Sequence, residues 1–143
     1  MILTIFLFVF SYDIWFYISH RILHLPFFYT RIHKKHHSVD YKRMTPGKLL
    51  AHFKEMTYKD AYVSDIREDI FQSLGFFIPI YFLQNITLWQ GILSLLFVNL
   101  RGMARHDIRM IPFIGDHHIL HHANPKVNYG EKWIDIVFQT NSK

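Results

Sequence analysis

Three runs of histidine stand out in the chain: His20-x3-His24, His33-x2-His36-His37 and His117-His118-x2-His121-His122. On a helix, residues three or four apart share a face, with Cβ atoms about 5–6 Å apart, so each such pair can present two imidazoles to one cation. An HxxHH box adds a third ring that points off to the side and can reach a second ion. With 11 histidines in 143 residues, an HxxHH pattern is expected only about 0.06 times by chance, yet it occurs twice. A pH-sensing or nucleic-acid-binding histidine patch would need neither this spacing nor apolar neighbours. Metal ligation is the chemistry the pattern favours.

The chain has no cysteine, so it can form neither a thiolate site nor a disulfide. Donors must be nitrogen or oxygen, and all-imidazole shells suit zinc, copper, iron or nickel. One catalytic zinc needs only about three histidines, so eight or nine converging rings point to two metals. Ligation also requires neutral imidazole. That requirement relieves the repulsion expected among rings interleaved with Arg21, Arg31, Lys34 and Lys35. A dinuclear iron site with open positions can bind O2 and abstract hydrogen from an unactivated C–H bond, chemistry suited to a lipid that enters from a bilayer.

The elements that must position these rings are apolar. Residues 1–19 carry one charge, Asp13, and nineteen helical residues rise roughly 28 Å, about one hydrocarbon thickness. A cleaved signal peptide would need a basic n-region and a small-residue cleavage site, and this stretch has neither. Residues 70–100 hold no charge, and Pro79 and Gln84-Asn85 interrupt them, which predicts an apolar hairpin or broken helix pair; a soluble core hairpin is the alternative. Lys and Arg occur only in 21–69, ten of them, and 101–143, six of them. A hairpin would put both segments on one membrane face, cytoplasmic by the positive-inside rule. The net charge of +5 then reads as membrane-surface contact rather than nucleic-acid binding. The expected organisation is one domain over 1–143. A transmembrane helix (1–19) leads into the first two boxes and a cytoplasmic segment (20–69), then the apolar hairpin (70–100) and the third box (101–143).

Two longer runs carry a family resemblance. "DIWFYISHRILHLPFFYTRIHKKHH" (Asp13 to His37) and "RHDIRMIPFIGDHHILHHANPKVNYGEKWIDIVFQT" (Arg105 to Thr140) resemble the histidine boxes of the fatty acid hydroxylase/sterol desaturase superfamily. His106-Asp107, Pro112 and Gly115 most resemble its sterol C-5 desaturase (lathosterol oxidase) branch. The resemblance implies an all-α fold: integral membrane helices with a cytoplasmic histidine-rich helical cap over a dinuclear metal site. It implies metal ligation by His20, His24, His33, His36, His37, His118, His121 and His122, with His106 as an isolated further ligand. His117 would lie beside the metals or toward the substrate. Asp13, Asp107, Asn128 and Asp135 would orient imidazole N–H groups, with helix capping, polar contacts and, for Asn128-Tyr129-Gly130, a turn as the structural alternatives.

The resemblance further implies two iron ions (zinc being possible in purified protein), O2 as co-substrate, and NAD(P)H electrons through a cytochrome b5-type carrier. The substrate would be a lipid, sterol or fatty acyl, desaturated or hydroxylated at a membrane, the endoplasmic reticulum in a eukaryote. A fatty acid or sphingolipid hydroxylase of the same superfamily and a non-enzymatic metal-binding membrane protein are the alternatives. There are departures. Only one span precedes the first box, fewer than the family usually has, as in a fragment or a minimal version. In place of the family's His-Pro-x-Glu element, "VSDIREDI" offers only Glu68, and His52 reads as a structural or surface histidine.

Overall fold

The computed structural model describes residues 2–38, 65–82, 86–107 and 110–142; His52 and the middle of the 20–69 segment lie outside them. The described residues are helical, with no strand among them. Helix α1, Ile2–Leu23, consists almost wholly of apolar and aromatic residues up to Ser19. It stops because Pro26 opens the next helix and holds Leu25 extended, at φ −63° and ψ 140°. Helix α2, Pro26–Arg31, leads into a 3₁₀ turn, His33–Ser38.

Helix α3, Ile66–Ser73, starts where the Asp65 carboxylate accepts from the Arg67 N–H at 2.9 Å, with Glu68 and Asp69 in the first turn beside the positive helix end. A 3₁₀ turn, Leu74–Phe76, passes the chain to α4, Phe77–Phe82. Helix α5, Leu88–Arg105, opens on a capping box of Thr87 and Gln90. The short helices α6, Ile111–Ile114, α7, His117–Ala123, and α8, Lys132–Val137, complete the chain.

Three rods stand side by side. Trp15 meets Phe71 edge-on and donates its indole N–H to the Phe71 carbonyl, while Phe76 stacks on Tyr12 and Phe8. The α3–α4 rod therefore runs antiparallel to α1. Val98 packs on Tyr12 and Phe16, and Arg101 pairs with Asp13. Arg105 lies over the Phe16 ring, so α5 runs parallel to α1. Both deliver their C-terminal ends, with His20 and His106, to the same end of the bundle. Over its described residues, the 70–100 block holds a broken descending rod and a continuous ascending helix.

Among the described residues, α1 alone is long and apolar enough to cross a membrane. Its outward residues, Leu3 and Phe6, are exposed, as are Phe77, Phe82, Leu88 and Trp89 on the other rods. The long apolar helix and this apolar exterior fit membrane association. At Gly75 the descending rod passes tightly against Trp15 of α1. A Cβ there would sit 2.3 Å from Trp15 Cδ1 and 2.8 Å from Cγ. Gly75→Ala should displace the indole and cost about 1–3 kcal/mol, read as a lower thermal midpoint in detergent. An unchanged midpoint would contradict this seat.

Candidate metal centre

Nine imidazoles converge at the end of the bundle where α1 and α5 finish. They form two groups, in each of which the candidate donor atoms lie within 4.8 Å of one another. The first holds His20, His24, His33, His37 and His121, and the second His36, His106, His118 and His122. These are the nine residues the sequence singled out, and they come from both ends of the chain and the end of α5. Helix α1 supplies His20, and His24 follows directly; the 3₁₀ turn supplies three rings, the residue capping α5 one, and α7 three.

The spacing within each box has a consistent meaning. Pairs four apart share a group: His20 with His24, His33 with His37, and His118 with His122. Pairs three apart straddle the two groups with nearly parallel rings, His33 and His36 at 5.0 Å and 22°, His118 and His121 at 5.6 Å and 23°. The groups are therefore neighbours, separated by the thickness of a ring pair.

The ring nitrogens approach more closely than hydrogen bonding can explain. His106 Nδ1 donates to the Gly102 carbonyl at 2.7 Å, His121 Nδ1 to the Val127 carbonyl at 2.6 Å, and His20 Nδ1 to the Tyr129 carbonyl. A carbonyl only accepts, so the single proton of each neutral ring is at Nδ1 and its Nε2 presents a lone pair. Yet His106 Nε2 lies 3.1 Å from His36 Nε2 and 2.9 Å from His118 Nε2. His121 Nε2 lies 2.9 Å from His24 Nε2. His33 Nε2 is 3.1 Å from the Nε2 atoms of His20, His24 and His37 alike. One proton cannot serve three such contacts. Two nitrogens each about 2.1 Å from a common ion, at right angles, would be about 3.0 Å apart, so the donor set fits a cation at the centre of each group.

The electrostatics agree. Burial first, and neighbouring imidazoles second, push His24 and His37 down to about 3; burial, partly offset by the Val127 carbonyl, does the same to His121. His33, His106, His118 and His122 are also driven well below the ordinary imidazole range, mainly by burial. All are neutral at pH 7 and fit to ligate. Glu68 reaches His33 Nδ1 at 3.0 Å. Burial, with repulsion from Asp69 and Asp65, raises its carboxyl to about 9, so the pair brings no net charge into the interior.

The remaining candidates lie around the cage. His117 is outside both groups and meets Asp135 Oδ2 at 3.0 Å. Asp135 also accepts from the Tyr129 and Gly130 N–H groups and from the Thr140 hydroxyl. Burial pushes the Asp135 carboxyl up, but the hydrogen bonds from His117, Thr140 and Gly130 prevail and hold it below the usual range. Asn128, buried at a left-handed φ of 60°, ties the His117 carbonyl to Ser142. Asp13 faces Arg101. Asp107 follows the end of α5, where its backbone carbonyl accepts from Met110.

Sequence reasoning did not find the three carbonyls that hold His20, His106 and His121, because a backbone acceptor leaves no side-chain signature. It also missed Arg105, which pairs with Glu131 and lies 5.0 Å from the Phe16 ring centre. The readable signal was two arginines four apart at the end of an apolar helix, directly before His106.

The fold and site are those of a helical protein fitted for membrane association, with two adjacent all-histidine groups that could each hold a metal ion. The fatty acid hydroxylase family model matches residues 5–140, and the chain belongs to the fatty acid hydroxylase family, a group of lipid hydroxylase- and desaturase-type oxidoreductases. No solved structure matches it.

The depressed histidines set a pH dependence for the metal-free protein. Unfolded histidine titrates near about 6.5, whereas His24, His37 and His121 titrate at about 3 when folded. Between those values the unfolded chain binds more protons, so stability is intact above about pH 6.5 and falls as the pH drops toward 3. Thermal midpoints of metal-free protein in detergent should decline steadily from pH 7 to 5. A flat profile would mean the rings are not buried neutral.

Proposed function

We propose that the chain is an O2-dependent di-iron lipid oxidoreductase of the sterol C-5 desaturase type. The observation that carries the reading is the meeting of His36, His106, His118 and His122 beside the other five rings, two complete donor sets in one interior. His20, His24, His33, His36, His37, His106, His118, His121 and His122 would hold the metals. Two iron ions bound there supply activation of O2 and removal of hydrogen from an unactivated C–H bond.

The protein's own part is holding and excluding. The carbonyls of Gly102, Val127 and Tyr129 keep Nδ1 protonated and Nε2 aimed inward. Asp135, by gathering the N–H groups of Tyr129 and Gly130, holds the strand of chain whose carbonyl receives His20. Tyr12, Phe16 and Val98 form the apolar floor, which keeps bulk water out on the bilayer side.

Electrons come from NAD(P)H through an acidic carrier of the cytochrome b5 type. Arg31, Lys34 and Lys35, exposed around a surface hollow that His37 also lines, offer it a complementary face. Anionic lipid would attract the same charges. The positive-inside rule puts this face in the cytoplasm, at the endoplasmic reticulum in a eukaryote. The sterol branch is favoured by His106-Asp107, Pro112 and Gly115; the family's description as a fatty acid hydroxylase favours hydroxylation of an acyl chain instead.

Expression in yeast lacking sterol C-5 desaturase, with sterol profiling, separates these readings. Restoration of the 5,6-double bond is expected. A hydroxylated acyl product without it would select the second reading, and metal-loaded, membrane-inserted protein with no lipid change would defeat both. His36→Ala and His121→Ala, one from each group, should each reduce bound iron about 10-fold or more in affinity and abolish product. Retained product would contradict the donor assignment.

A further inference from the structure

Directly beneath the histidine cage lies a cavity of about 50 Å³. Its upper wall includes His20 from the first group and His36 and His106 from the second, so it opens on both candidate metal sites at once. Tyr12 and Phe16 of α1 and Val98 and Gly102 of α5 form the apolar part of its wall, and Glu68, Gln72, Asn99 and Arg105 complete it. Val98, Gly102 and His106 are four residues apart in turn and therefore lie along one face of α5. Gly102 contributes no side chain there, and a Cβ built on it meets no atom within 4 Å. Its carbonyl meanwhile receives His106 Nδ1 at 2.7 Å, which ties the floor of the cavity to a ring of the cage.

We infer that Gly102, with Val98 beside it, determines which part of a substrate reaches the metals, by keeping the apolar part of this small chamber open beneath His36 and His106. This rests on the proposed function for the identity of the substrate, but not for the shape of the chamber. One water needs about 10–15 Å³, so a cavity of about 50 Å³ has room for about three to five water-sized groups. A larger hollow of about 720 Å³ lies along α1 and α5 against Trp133, and the Asp13–Arg101 pair is part of its wall. No histidine lines it, so it can take hydrocarbon but does not present it to the cage. The small chamber does.

The test uses the full chain in detergent, loaded with iron, and azide as a three-atom probe followed by its absorption band on the metal. Gly102→Leu adds four carbons beside the chamber, so iron content is measured for every variant and azide affinity is compared per bound iron. Azide affinity should fall about tenfold or more, and lipid product should vanish or shift in position. Gly102→Ala and Val98→Ala give opposite signs, a several-fold weaker and a stronger azide response, and they decide the matter if the leucine variant loses iron. Azide binding equal to wild type in the iron-loaded variants would overturn the proposal. Wild-type protein that binds azide but makes no lipid product would set aside the functional reading alone, because the azide series would still report on the chamber.

Discussion

The approach of imidazole nitrogens whose protons are committed elsewhere is the constraint on which the rest of the structure depends. His106, His121 and His20 each spend their one N–H on a backbone carbonyl. Their lone pairs then face other ring nitrogens at about hydrogen-bond distance, an arrangement that repels unless a cation sits among them. Three features make it tolerable before any ion arrives. Burial keeps the rings neutral, the carbonyls fix their tautomers, and rigid rods hold the backbone that carries them.

The same economy governs the fixed charges. Asp13 and Glu131 stand against Arg101 and Arg105 around the junction of α1, α5 and the segment before α8, two acids for two bases. A buried pair of this kind adds little net stability, but removing one member would strand the other in an apolar interior. Its effect is positional: Arg101 sets α5 against α1, and Arg105 presses on Phe16, whose ring lies 5.2 Å from His20 and 6.5 Å from His118. The packing that aligns the rods thereby reaches the rings of both groups.

The clustering of these rings was readable in the sequence because histidine at three- and four-residue spacing has few other uses, and that of His106 because it sits, with Asp107, in a run that resembles the family's. What could not be read was which ring joins which group. Spacing alone allowed a pair three or four apart to share one ion, whereas here only the pairs four apart do. The apolar block of 70–100 was legible as helical, apolar material. Its break at Leu74–Phe76 was not, because that break answers to the contact between Gly75 and Trp15, residues sixty positions apart. Asp13 and Asp135 were visible as acids that could orient imidazole N–H groups, but their partners, Arg101 in one case and His117, Tyr129, Gly130 and Thr140 in the other, are set by tertiary packing.

The division of each box between groups has a mechanical consequence. Because His33 and His37 serve one group and His36 the other, the single 3₁₀ turn over His33–Ser38 cannot shift for one site without shifting for both. Helix α7 imposes the mirror condition through His118 and His122 on one side and His121 on the other. Two short elements, each divided in opposite proportion, lock the sites to one another more firmly than two separate boxes would. The stacked pairs His33–His36 and His118–His121 then set the spacing between the sites. A cavity that touches His20, His36 and His106 together can exist only because that spacing is small.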